Sequence, residues 1–401
     1  HLVKKNIIQH SIYGVDIESG AVDIARLRFW LALVVDEVEP LPLPNLDYKI
    51  MQGNSLLESF EGIDLSEISD AAAYEAVYES EQIDMFSGEA KKKVRMSLQF
   101  EDVKTLMDDY FNANDPETKK DLHKRIDDQV LNHIHITLTQ HKTELKKKTK
   151  KLEKKVGLDE AAARTWEQKE KIRTNSKAAK ALVKLNTELS QYNDKELKLA
   201  QLSNSNERPF FLWHLFFQEV FDDGGFDIVI GNPPYGAKLD NSEKKLLKSK
   251  YDYLHKRTMD TYNFFLGLGN NILNPRGHLT YIIPSAYLFQ TEFEKSRGFF
   301  MNTCSPKIFI NLGENIFNAV VPSCIFIYGK LISEQAKVYL CDTNKLKKTS
   351  TKLIFRDGFE LSLKELNTFS NATIPFNIDE QRLLQAIFAK NQNKLGDICE
   401  E

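Results

Sequence analysis

A chain of 401 residues with 42% apolar side chains has material for one large domain or two to three ordinary ones, each with a real core. Its formal charge of -3 and pI near 6.4 exclude a uniformly basic surface, so a nucleic-acid partner would have to be gripped by local patches. The cysteines Cys304, Cys324, Cys341 and Cys399 are too scattered for a zinc ribbon or a dense disulfide framework, no apolar run approaches the roughly 20 residues of a membrane span, and no signal peptide opens the chain, so a soluble, cytoplasmic protein is expected.

In chain order, Ile12 to Ile17 reads as a buried strand ending in acidic residues. Ser19 is placed to cap a helix whose apolar positions Val22, Ala25, Phe29, Ala32 and Leu33 recur at helical spacing. After a loop with Pro40, Pro42 and Pro44, a second short strand over Asp47 to Met51 ends at Gln52-Gly53-Asn54-Ser55. Strand, helix and strand in this rhythm predict a parallel α/β sheet.

From about 62 to 205 glycine and proline almost vanish, and Glu, Lys, Gln and Ala dominate, predicting a long helical insertion. Lys142 to Lys155 carries eight lysines in fourteen residues, with Leu145 and Leu152 one heptad apart, as in a helical hairpin or coiled-coil arm. The ordinary reading is a solvated face; the functional one is a non-specific contact with the DNA backbone. His133 and His135 lack a carboxylate or cysteine at usable spacing and are expected to be structural or exposed, with no metal site.

The strand signal returns at Phe226-Asp227-Ile228-Val229-Ile230 and runs into Gly231-Asn232-Pro233-Pro234-Tyr235-Gly236. A helix is predicted from Asp260 through Ile272, closed by Asn274-Pro275-Arg276-Gly277, then strands at 278–283, 307–310, 323–328 and 337–340, and a last helix over 380–389. The expected boundaries are 1–61 for the first part of the core, 62–205 for the insertion, 206–345 for the catalytic part and 346–401 for a linker towards a further domain.

An apolar strand ending in Asn-Pro-Pro-Tyr has a specific physical use. Two prolines remove two backbone donors and impose extended geometry before them, so carbonyl acceptors stand beside the Asn232 amide. An exocyclic base amine is a poor nucleophile because its lone pair is delocalised into the ring. If the Asn232 side-chain oxygen and the Pro233 carbonyl each accept one amine hydrogen, the nitrogen moves towards sp³ and its lone pair points at an electrophilic methyl. Tyr235 supplies a stacking face, and a base reached in this way must leave the duplex.

The segment Phe226 to Tyr235 resembles the fourth motif of amino-group DNA methyltransferases, and its Asn-Pro-Pro-Tyr form is similar to the adenine-directed members. The resemblance implies S-adenosylmethionine as cofactor. Within it, Gly14-Val15-Asp16-Ile17-Glu18 resembles the acidic strand end that receives the cofactor ribose, Asp16 first and Glu18 next, and Gln52-Gly53-Asn54 resembles the third motif, with Asn54 on the adenine edge. Met259 to Phe265 and Gly277 to Ser285 resemble walls of the pocket, and Gly313-Glu314-Asn315-Ile316-Phe317 resembles the loop whose aromatic, here Phe317, closes on the flipped base. The order is that of the gamma class, nearest to the methyltransferase modules of type IIG restriction-modification enzymes.

The fold this implies is α/β, a Rossmann-like methyltransferase sheet incomplete at its N-terminal side, with the long, mainly helical insertion. The glycine-bearing first motif is expected upstream of residue 12, so the chain reads as a central fragment whose own activity is in doubt. Its expected partner is double-stranded DNA with a flipped target base, with a fused nuclease and target-recognition domain outside this chain. Three alternatives stay open: cytosine N4 as the target, a non-catalytic DNA-binding module, and part of a fused endonuclease. Asp84 with Glu89-Ala90-Lys91, and Glu167-Gln168-Lys169, match the loose metal-nuclease formula but lie in charge-rich sequence where chance matches are common. Lys238, Lys244, Lys245 and Lys248 suit either a DNA path or a solvated helix.

Overall fold

The computed structural model describes residues 2–35, 43–60, 63–65, 78–83, 90–96, 103–202, 211–257, 260–314, 321–333, 335–343, 358–369 and 372–377, with single residues at 379, 383 and 386. The chain divides into two compact units, 1–218 and 219–401.

The first unit opens with helix α1 (Leu2–Ser11), strand β1 (Gly14–Asp16) and helix α2 (Ser19–Val34). β1 pairs in parallel with β2 (Ile50–Gln52), Gly14 opposite Ile50 and Asp16 opposite Gln52. Both strands are shorter than the sequence implies, because residues 47–49 form a turn. Glu18, not Ser19, occupies the N-cap of α2, without a side-chain cap bond. Arg26 locks α2 onto β2: Nε and Nη2 donate to the Ile50 carbonyl at 2.9 and 2.7 Å, and Nη1 pairs with Asp47 at 2.8 Å. Ile8, Leu33, Leu46 and Phe111 form the core beneath, flanked by Ile12, Phe29 and Trp30.

The insertion does not begin helical. Two small antiparallel pairs come first, β3 (Ser59–Phe60) with β4 (Ile63–Asp64) and β5 (Tyr78–Ile83) with β6 (Ala90–Met96). Then come α3 (Val103–Asn112) and α4 (Pro116–Ala162). α4 starts sharply because Asp115 accepts from the Thr118 N–H at 2.8 Å and Pro116 fills the first turn, where its missing donor costs nothing. At 47 residues α4 is roughly 70 Å long. Its proximal half buries Leu122, Ile126, Val130, Ile134 and Leu138, one residue per turn.

His133 is half-buried there, and burial pushes its imidazole down to about 4, partly opposed by Glu58, so it stays neutral at pH 7; His135 is exposed. The chain returns through α5 (Trp166–Asn175), α6 (Lys177–Ser190) and α7 (Tyr192–Leu202), with α5 started by a reciprocal Thr165–Gln168 capping box. Helix α8 (Trp213–Phe216) re-enters the core, where the Phe211 ring meets Trp213, Phe216 and Phe217.

The second unit follows α9 (Gln218–Asp222), which straddles the boundary. Among the described residues its sheet has six strands: β7 (Phe226–Gly231), β8 (Leu273–Pro284), β9 (Ser305–Gly313), β10 (Ser323–Gly329), β11 (Lys337–Asp342) and β12 (Phe359–Ser362). Their order is β12-β11-β9-β10-β8-β7, with β7–β8 and β9–β11 parallel and the other pairs antiparallel. The fold is α/β with a mixed sheet.

β8 is longer than its sequence suggests: Asn274 to Gly277 stop the helix as expected but are themselves strand, and the Phe226/Ile228 register shift against β7 absorbs them. Helices α10 (Asn241–Lys250), α11 (Thr261–Ile272), α12 (Ala286–Phe289), α13 (Glu294–Thr303) and α14 (Leu363–Leu366) complete the described part. α11 lies so close to β8 that a Cβ on Gly269 would come within 2.5 Å of Leu279 and 2.6 Å of the Tyr281 hydroxyl. Arg297 on α13 is wholly buried and donates to the carbonyls of Tyr287, Gln290 and Ala372, so its charge is spent on backbone. No helix among the described residues is long and apolar enough to cross a membrane. The helix expected over 380–389 lies almost entirely outside the described residues.

Candidate active site

β7 delivers the Asn-Pro-Pro-Tyr segment at its carboxyl end, the end at which open α/β sheets present functional groups. Gly231 is small for a reason: a Cβ there would sit 3.0 Å from the ring of Tyr281 on the neighbouring strand. Asn232 is exposed, Pro233 is buried and Tyr235 is half-buried. The Tyr235 hydroxyl lies 3.3 Å from both the Asn232 Oδ1 and the Ile282 carbonyl, to either of which it can donate its one proton. Burial is the main cause that raises the Tyr235 hydroxyl above the ordinary tyrosine range, so it is a hydrogen-bond donor at neutral pH. Its ring meets Tyr262 edge-on, with centroids 6.2 Å apart.

The loop is clasped from the start of α11. The Thr261 hydroxyl donates to the Pro234 carbonyl at 2.8 Å and accepts from the Ala237 N–H at 3.1 Å. Asp260 accepts from the Gly236 N–H at 3.2 Å, where Gly236 takes a left-handed φ of 67° and reverses the chain. Burial raises the Asp260 carboxyl above its usual range, against backbone donors led by Gly236 that pull it down. These contacts hold Asn232 and Tyr235 on one short, braced turn.

In the other unit, Asp16, Glu18 and Asn54 gather at the carboxyl end of the β1–β2 pair. Asp16 Oδ1 accepts from the Glu18 N–H at 2.8 Å, and the Asp16 carbonyl accepts from the Gly53 N–H at 2.9 Å, so the two strand ends are tied. Asn54 turns its side-chain oxygen back onto the Leu56 N–H at 3.2 Å, and Trp213 braces the next residue by donating to the Ser55 carbonyl at 2.8 Å. The Asp16 and Glu18 side chains stand in solvent.

Residues 10–317 match the family described as Eco57I restriction-modification methylase. The chain belongs to that family. This Eco57I-family chain is 28% identical over 343 residues to a putative type II restriction enzyme and methyltransferase of Methanocaldococcus jannaschii, covering 82% of the chain and 26% of the relative. A type II restriction enzyme and methyltransferase of Escherichia coli is 26% identical over 181 residues, 43% of the chain and 17% of the relative. The chain thus spans about a quarter or less of the curated relatives it matches. Among solved structures, the methyltransferase subunit of a type I restriction-modification system from Streptococcus thermophilus is similar at 18% identity and a TM-score of 0.33, covering 51% of the chain and 46% of that subunit. The family assignment therefore rests on sequence.

Of the site residues singled out in this Eco57I-family sequence, Asn232, Pro233, Pro234 and Tyr235 share one loop, and Asp16, Glu18 and Asn54 lie at the adjacent carboxyl ends of β1 and β2. Phe317 lies outside the described residues, as do Asp84 and Glu89 of one nuclease-like pattern. Glu167-Gln168-Lys169 of the other sits exposed in the first turn of α5, where Gln168 is used for capping. Lys244, Lys245 and Lys248 lie on α10 and are exposed, like Lys238 before it. Sequence reasoning missed the clasp. Asp260-Thr261 at the start of a predicted helix looks like a capping pair, and its use for the loop, with Asp260 accepting from the Gly236 N–H and Thr261 bonding Pro234 and Ala237, has no signal in that pattern.

Proposed function

We propose that this chain is the methyl-transferring part of a site-specific DNA methyltransferase of a restriction-modification system, acting on the exocyclic amine of an adenine turned out of the duplex. The observation that supports it most is the exposed Asn232 amide oxygen at the end of β7, next to Tyr235 on a loop fixed by Thr261. An amine presented there finds two acceptors, the Asn232 Oδ1 and the Pro233 carbonyl. Accepting both hydrogens localises the nitrogen lone pair and aims it outward, a charge arrangement better matched to the transition state than to the planar amine. The Tyr235 hydroxyl, which can switch its proton between Asn232 and Ile282, can release the Asn232 oxygen to the incoming amine without stranding itself. Its ring gives the base a face to stack on.

The donor group fits the other unit. Asp16 and Glu18 offer solvent-facing carboxylates at the carboxyl end of parallel strands, suited to a pair of ribose hydroxyls, and Asn54 retains its amide N–H groups for an adenine edge. S-adenosylmethionine bound there would supply an electrophilic methyl group. Phe317 is proposed as the second face for the base. The curated relatives are described as restriction enzyme and methyltransferase and the chain spans about a quarter or less of each, which supports a fused nuclease outside this chain; a target-recognition domain outside it is part of the same proposal.

The test is transfer of labelled methyl from S-adenosylmethionine to plasmid DNA by the full-length protein, followed by chromatography of the nucleosides. N6-methyladenine is expected, and Asn232→Ala should lower the rate by about 10²- to 10³-fold, the scale for loss of one preorganised polar contact in a transition state. Label appearing as N4-methylcytosine would overturn the adenine assignment. Absence of transfer to every DNA tried would overturn the enzymatic reading.

A further inference from the structure

The distal part of α4 has a surface that the transfer reaction does not use. From Lys142 to Ala162, Thr149 and Val156 are the fully buried residues and Leu145 and Leu152 are half-buried, a stripe at helical spacing on the side that α5 and α6 cover. At about 100° per residue, Lys147, Lys150, Lys151 and Lys154 fall on the opposite side. All four are exposed, and none makes an ion pair among the described residues. Lys142, at the base of this stretch, is paired with Glu196 at 2.8 Å. Between residues 142 and 184 there are fifteen Lys and Arg against six Asp and Glu, on a chain whose total charge is -3.

Solubility alone does not account for the stripe. Lys147–Lys150, Lys147–Lys151, Lys150–Lys154 and Lys151–Lys154 are all like-charge pairs three or four residues apart, each weakening the helix by about 0.2 to 0.5 kcal/mol. A face kept only for solvation would mix signs and gain from the same spacings. The repulsion is relieved when a polyanion lies along the stripe. Its four ammonium groups are spread over roughly 10 Å of helix axis, a length over which duplex DNA carries about six phosphate charges. Lysines act as point charges on flexible stems and here carry no bidentate fork for reading bases, which suits backbone contact without sequence preference.

We propose that the distal α4–α6 hairpin is a sequence-independent contact for the phosphate backbone of duplex DNA, made by Lys147, Lys150, Lys151 and Lys154. The inference rests on the DNA-methyltransferase reading for its ligand, and it is tested without methyl transfer. The full-length protein and its K147Q/K150Q/K151Q/K154Q variant are titrated with a duplex of about 30 base pairs lacking any target site, across a series of salt concentrations. Each lost phosphate contact lowers the slope of log affinity against log salt by about 0.9, so the variant lacking four should show a slope smaller by about 3.6 and at least tenfold weaker binding at low salt. The four Lys→Arg replacements should restore both, since charge and not ammonium shape is required.

A glutamine variant with the wild-type slope and an unchanged circular dichroism spectrum would overturn the proposal. So would loss of polyglutamate binding with DNA binding intact, which would assign the stripe to an acidic protein. Labelled transfer to plasmid DNA, measured separately on the same protein preparations, distinguishes the two readings. An altered slope in a protein that transfers no methyl sinks only the enzymatic reading; an unaltered slope with transfer intact sinks only the arm.

Discussion

Thr261 is asked to do two things with one hydroxyl, donating to the Pro234 carbonyl and accepting from the Ala237 N–H, and it is buried while doing so. Thr261→Val keeps the volume and removes both bonds, leaving a carbonyl and an N–H of the Asn232 loop without that partner, a change worth about 1 to 3 kcal/mol. Because the loop carries Asn232, the loss should appear in the chemical step: single-turnover transfer slower by about tenfold to a hundredfold, with cofactor affinity within twofold of wild type. An unchanged single-turnover rate would show that the loop holds its geometry without the clasp. This scale is also where the sequence was most and least informative. Asn232 and Tyr235 are legible because the residues proposed for the chemistry fall in one consecutive segment. Thr261 and Asp260 are not, because their partners lie 24 to 27 residues away and meet them only once α11 is laid beside the end of β7.

Among the elements, β7 depends on how the chain enters it. Gly224 and Gly225 follow α9 with φ of 94° and 114°, and the Gly225 N–H donates to the Val220 carbonyl at 2.8 Å to finish that helix. The two glycines are not equivalent. A Cβ on Gly224 meets nothing within 4 Å, whereas one on Gly225 would meet the Ile272 carbonyl oxygen at 2.7 Å and the Asn274 nitrogen at 2.8 Å, the point where β8 begins. Gly224→Ala should therefore cost only its backbone strain, about 1 to 2 kcal/mol, while Gly225→Ala adds a clash against fixed backbone and should cost at least about 3 kcal/mol in urea unfolding. Equal losses would mean that α9 and β8 separate easily.

The α11 helix and the later strands were legible from periodicity. The β5–β6 pair was not, since Glu, Lys and Gln carry helical propensity and only antiparallel pairing, Tyr78 opposite Met96, makes strands of them. Register shifts such as the one between Phe226 and Ile228 have no sequence signal of their own, which is why the start of β8 is read as a helix stop.

Across the whole molecule, the residues proposed for the donor and those proposed for the acceptor fall in different compact units, with Asp16 in 1–218 and Asn232 in 219–401. Sequence order alone could not show this, because the insertion separates the two groups of motifs without saying which side it belongs to. Its helices pack with β1 and β2 in one unit, as the Asn45 amide shows by donating to the Tyr110 and Ala113 carbonyls at 2.6 and 2.9 Å.

A division of this kind predicts separable defects. Asp16→Ala removes a carboxylate proposed for ribose hydroxyls, and a lost hydrogen bond to a charged group is worth about 1.5 to 3 kcal/mol, so S-adenosylmethionine should bind about tenfold to a hundredfold more weakly while duplex affinity is unchanged. Asn232→Ala should leave cofactor affinity within twofold and slow transfer by about 10²- to 10³-fold. Isothermal titration of each full-length variant with cofactor and with duplex reads the affinities, and labelled-methyl transfer reads the rate. If Asn232→Ala weakened the cofactor as much as Asp16→Ala does, the asparagine would belong to the donor site, and the amine-acceptor role argued for it would fail even though transfer was slowed.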